Sequence, residues 1–157
     1  FATTPKVADC RLSFFASRVH DLTGFESCTA VSTGLFEKIK TSPDIGSGTN
    51  LFVAVANAYR DLSQVDADQR IVAVLTDGVD TNMIFTIDNL KAIRAAEKPA
   101  STLLYWAGAS GEIELRPIAD AVITAKDDVI ANMQGYFSGI TTAVKGQQVI
   151  EKEPCVK

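Results

Sequence analysis

The chain is short of several things that would have fixed its class at once. No apolar run approaches the roughly 18 to 20 residues that a membrane-spanning helix needs; the longest, Ile71 to Leu75 and Leu103 to Ala109, have the length of strands. Basic residues are scattered singly and the formal net charge is −4, so there is no footprint for nucleic acid. Histidine occurs once, at His20, with no cysteine, serine or carboxylate at a spacing that suggests a triad, which reads as a residue on a hairpin surface. Gly108-Ala109-Ser110-Gly111 lacks the lysine and spacing of a phosphate-binding loop. No nucleophile, base and oxyanion arrangement can be assembled, which argues against a hydrolase or nucleotide-binding enzyme.

Cysteine is sparse too. Cys10, Cys28 and Cys155 hold no pair at zinc-knuckle spacing. Cys10 and Cys28 bracket an expected hairpin and could be bridged, and Cys155 could instead tie down the tail. At least one disulfide is expected, which favours an extracellular, cell-surface or periplasmic location.

What is present is an ordinary globular composition, 46% hydrophobic and 22% charged over 157 residues, enough for one domain with a buried core. Arg11 to Ala16 reads as a strand, and Val19 to Leu22 returns antiparallel to it. Leu35 to Lys40 resembles a short helix stopped before Pro43. Leu51, Val55, Ala58, Tyr59 and Leu62 recur at helical spacing, predicting a helix over 51–62 with one face on a sheet. Ile71 to Leu75 is apolar on both faces, as expected of a central strand covered on each side. A helix over 86–97, a strand over 102–107, a short helix near 115–119, a strand over 121–124 and a helix over 127–144 follow. Asp127-Asp128 suits the positive end of that last helix better than a calcium site. This alternation predicts an α/β fold with a doubly wound, mostly parallel open sheet, helices on both faces and one antiparallel edge hairpin.

Two corners of that plan carry chemistry. Gly46-Ser47-Gly48-Thr49-Asn50 opens the first long helix, and Thr76-Asp77-Gly78 ends the strand after it. In a parallel sheet both lie at the rim where α/β folds place ligands. Each also has a plain explanation: Ser47, Thr49 and Asn50 are all good helix caps, and Asp-Gly is a frequent turn pair.

In this order the elements resemble a von Willebrand factor type A domain. The match rests on Gly46-Ser47-Gly48-Thr49-Asn50-Leu51, on Ile71-Val72-Ala73-Val74-Leu75-Thr76-Asp77-Gly78, and on Leu103-Leu104-Tyr105-Trp106-Ala107-Gly108 followed by Glu114-Leu115-Arg116-Pro117-Ile118-Ala119. It covers nearly the whole chain, read as a single domain. The resemblance implies a non-enzymatic adhesion or protein-interaction domain. Thr49 and Asp77 would be metal ligands, and magnesium or another divalent cation would be met by an acidic side chain of a protein partner. Ser110 would lie at the same rim. Family members usually begin with a strand ending in Asp-x-Ser-x-Ser, and that motif is absent here. The expectation is a domain that is N-terminally incomplete, with a cation conditional on ligands from outside this sequence. The alternative is a metal-free scaffold or assembly subunit that uses other surfaces or strand addition.

Overall fold

The computed structural model describes residues 9–27, 39–44, 48–77, 79–82, 85–106 and 114–124. Its centre is a three-stranded parallel sheet of β5 (Ile71–Thr76), β6 (Ser101–Trp106) and β7 (Ala121–Thr124), in that order. Val72 lies opposite Thr102, Val74 opposite Leu104, and Leu104 opposite Val122. Two short antiparallel pairs precede it: β1 (Asp9–Cys10) with β4 (Glu26–Ser27), and β2 (Ser13–Phe15) with β3 (Val19–Asp21). The helices are α1 (Leu51–Ser63) and α2 (Ile87–Ala96), and a single 3-10 turn covers Arg116–Ile118. The result is a mixed α/β fold. The strand and helix positions agree with the hydrophobic periodicity to within a residue or two at most ends.

One core joins these pieces. Leu51, Phe52, Val55, Ala56 and Tyr59 of α1 pack with Leu90 of α2, with Val72, Val74 and Leu104 of the sheet, and with Leu115 and Ile118. Their alternation along β5 assigns Val72, Val74 and Thr76 to the covered face. Both described helices therefore serve the same side of the sheet. Complete burial of residues such as Leu90 and Leu104 is the dominant favourable contribution, about 1.5 to 3 kcal/mol for each large apolar side chain.

The helix ends show why these segments stop where they do. Thr86 caps α2 by accepting from the Asn89 amide, while the Asn89 side chain returns a bond to Thr86. At the far end of α1, Arg70 donates to the carbonyls of Leu62, which also accepts the Val65 amide, and of Val65 just beyond the helix. Arg11 pairs with Asp21 at 2.6 Å and Asp61 at 2.8 Å, fastening the β2–β3 hairpin to α1.

One expectation is corrected. Ile71 to Leu75 is not covered on both faces: Ala73 is exposed and Leu75 is 43% exposed. Among the described residues β5 pairs with β6 alone. Two-sided apolar character thus marked a strand correctly but did not report its cover. The helices expected over 35–40 and 127–144 lie wholly or mostly outside the described residues, so the doubly wound arrangement is seen only in its parallel strands and one helical layer.

Candidate functional site at the carboxyl rim of the sheet

Asp77 follows the last residue of β5, and Thr49 lies just before the first turn of α1. The loop that leaves β5 is bonded to the chain that enters α1. The Thr81 amide donates to the Thr49 carbonyl at 2.8 Å, and the Thr49 amide donates to the Thr81 hydroxyl at 2.8 Å. That hydroxyl donates back to the Thr49 carbonyl at 3.2 Å. The Asn82 side-chain amide donates to Asn50 Oδ1 at 3.0 Å. Both sequence-predicted ligand residues thus belong to segments held together at one end of the sheet.

Capping of α1 by Thr49 or Asn50 does not account for the side chains in question. Asn50 is the N-cap residue of α1, yet it makes no side-chain cap bond. The cap comes from Asp80, whose Oδ2 accepts the Phe52 amide at 2.7 Å and whose Oδ1 accepts the Asn82 amide at 2.6 Å. The Asp80 amide in turn donates to Glu114 Oε2 at 2.7 Å, which adds a third segment to the rim. The Thr49 hydroxyl and the exposed Asp77 carboxylate take no part in these bonds. Sequence reading missed Asp80 because its partner Phe52 lies 28 residues away, and capping rules look only at neighbours.

The hairpin closes the rim from another side. The Asn50 amide donates to the Ala16 carbonyl at 2.7 Å, and a Cβ placed on Gly48 would come within 3.9 Å of Ser17. Farther along the hairpin, His20 has a partner that spacing did not suggest. Its Nε2 lies 2.6 Å from Asp44 Oδ2, while Arg18 donates to Asp44 Oδ1 at 3.0 Å. The imidazole is stacked on Phe14 with ring centroids 4.6 Å apart. The hydrogen bond from Arg18 holds the buried Asp44 carboxyl below its ordinary value, with His20 adding to it and desolvation opposing. This cluster clamps the hairpin to the segment before the rim. No serine or cysteine joins His20 among the described hydrogen bonds.

Magnesium prefers about six oxygens, keeps several waters and commonly binds through one or two carboxylates. A hydroxyl and a carboxylate at one rim, both without a hydrogen-bond partner among the described residues, suit such a water-rich ion in kind. In number they fall short of a tight site, and among the described residues no group of three or more His, Cys, Asp or Glu could hold a metal. Gly78 and Ser110 lie outside the described residues. A concavity of about 470 Å³, lined by Lys91, Arg94 and Pro117 among others, sits at the opposite end, beside the start of β6. Its Arg94 is already engaged by Asp120 and the Ile118 carbonyl. Among known proteins, no family model, curated sequence or solved structure matches this chain.

Proposed function

We propose that this chain is a von Willebrand factor type A-like domain that binds a protein partner, without catalysis, at the rim carrying Thr49 and Asp77. The observation behind this reading is the coupling of the two segments: the strand exit and the helix entrance are bonded together while the Thr49 hydroxyl and Asp77 carboxylate have no hydrogen-bond partner among the described residues. Oxygen groups left free on a rigid frame are preorganised for a ligand, because little ordering entropy remains to be lost on binding. Thr49 and Asp77 would be the protein's own ligands to a magnesium ion, weakly held unless further oxygens are supplied from outside this sequence. When bound, such an ion supplies an electrophilic position for an acidic side chain of the partner. The full doubly wound sheet and an extracellular, surface or periplasmic location belong to the same reading.

Calorimetric titration with magnesium tests it. The wild-type protein should give weak, saturable binding that Asp77→Ala removes. Heats identical in the two proteins would end the metal-dependent version.

A second reading is favoured by the open face of β5. Ala73 and Leu75 are exposed on the strand that, among the described residues, pairs with β6 alone. A metal-free scaffold could use that exposed apolar face as a contact surface, packing it against a second copy of the chain and burying Ala73 and Leu75. Leu75→Lys should then abolish concentration-dependent association measured by light scattering, and a protein that stays monomeric at every concentration would count against it.

A further inference from the structure

We infer that Asp80 is the positioning residue of this rim, setting the relation between Asp77 and Thr49 by bonding the strand exit to the helix entrance. The inference rests on the binding role proposed for Thr49 and Asp77, and it deepens that role by naming what holds the pair in register.

Asp80 is placed to do this by bonds in three directions. One carboxylate oxygen accepts the Phe52 amide of α1, and the other accepts the Asn82 amide of its own loop. Its backbone amide is held by Glu114, from the segment ahead of the 3-10 turn. Both oxygens are therefore in use as acceptors of backbone N–H groups, bonds that are short and charge-assisted. An asparagine can replace only one of them, since its amide nitrogen would face a donor with another donor. Asp77 is on the same short loop as Asp80, and Thr49 precedes the helix turn that Asp80 caps. Loss of the Phe52 bond leaves each ligand on its own element and removes the one charge-assisted tie between the two elements among the described residues, so that only the neutral bonds from Thr81 and Asn82 hold them in register. Small displacements matter here because the smaller hard cation demands near-ideal octahedral geometry.

The probe is manganese(II), whose binding is read by the loss of the free-ion electron paramagnetic resonance signal. It is titrated into the wild type, Asp77→Ala, Asp80→Asn and Thr86→Ala. The last removes the cap of α2, a bond that does not join the strand exit to the entrance of α1, and serves as a control of comparable destabilisation. Asp77→Ala should abolish binding. Asp80→Asn should weaken it about tenfold, as expected for the loss of one charge-assisted contact. Thr86→Ala should leave it unchanged at a similar melting temperature. If Asp80→Asn shifts affinity no more than Thr86→Ala while Asp77→Ala still abolishes it, the positioning role is overturned and the rim survives. If Asp77→Ala changes nothing, or the wild type binds no manganese, the rim fails as a cation site and the positioning role fails with it.

Discussion

The phenol of Tyr59 and the hydroxyl of Thr102 meet at 2.5 Å between α1 and β6, both residues almost completely buried. The bond satisfies two polar groups that water cannot reach, on the face where helix and sheet share a core. Thr102→Val should leave the phenol buried without a partner and cost about 1 to 3 kcal/mol in urea unfolding. Adding Tyr59→Phe should restore part of the loss, so the double variant is more stable than the sum of the single changes requires. Strict additivity would show that the two hydroxyls are not coupled. Desolvation raises the Tyr59 pKa above its ordinary value of 10.0, against the bond from Thr102. The proton is held more tightly in the folded state, so the contribution is complete below that ordinary value and is lost as pH rises through the folded one.

Asp44 gives the opposite dependence. Its carboxyl is held below 3.8 in the folded protein, first by Arg18 and further by His20. The unfolded chain therefore takes up this proton first as pH falls. The stabilisation is complete above the ordinary carboxylate range and disappears as pH drops through the lowered folded value. Thermal melts of the wild type and Asp44→Asn should differ at pH 7 and converge toward pH 2. A gap that stays constant over this range would remove the ion cluster as its cause.

The three central strands and both helices were legible because each is a run whose period survives in one dimension. The second helix was placed by the spacing of Ile87, Leu90 and Ile93, and the capping box at Thr86 that starts it lies within four adjacent residues. Cover on the outer face of β5 was not legible, since Ala73 and Leu75 look the same in sequence whether a helix lies over them or solvent does. The rim was half legible. Thr49 and Asp77 stood out by residue type and place, whereas Asp80 and the His20–Asp44 pair join residues 28 and 24 positions apart. Only the folded chain brings such partners together, and no local rule anticipates them.

The cysteines give a third test. Cys10 is disulfide-bonded, and its partner lies outside the described residues. Asp9 pairs with Ser27 and Cys10 with Glu26, so the residue following Ser27, which is Cys28, is joined to a strand already alongside Cys10. Peptide mapping without reduction should recover a Cys10–Cys28 crosslink and a separate Cys155. Cys10→Ser should lower stability by about 3 kcal/mol, the loop-entropy expectation for a ring of ~20 residues. A crosslink from Cys10 to Cys155 would reassign the bridge to the tail.

Gly48 is the backbone position on which the rim depends most directly. Its φ of +139° lies where side chains are rarely accommodated, and an added Cβ would stand 3.2 Å from the Thr81 hydroxyl oxygen. That hydroxyl is the group bonded to both the amide and the carbonyl of Thr49. Gly48→Ala should therefore cost about 1 to 3 kcal/mol through backbone strain. It should also speed hydrogen exchange at the Thr49 and Thr81 amides together, because one displacement breaks both bonds. The two causes separate in a Thr81→Ala background, where the close contact is gone but the dihedral angle is not. Most of the cost of Gly48→Ala should persist there. Its disappearance in that background would assign the whole effect to the contact, and a cost below ~0.5 kcal/mol in either background would show that the turn can relax to a conformation open to any residue.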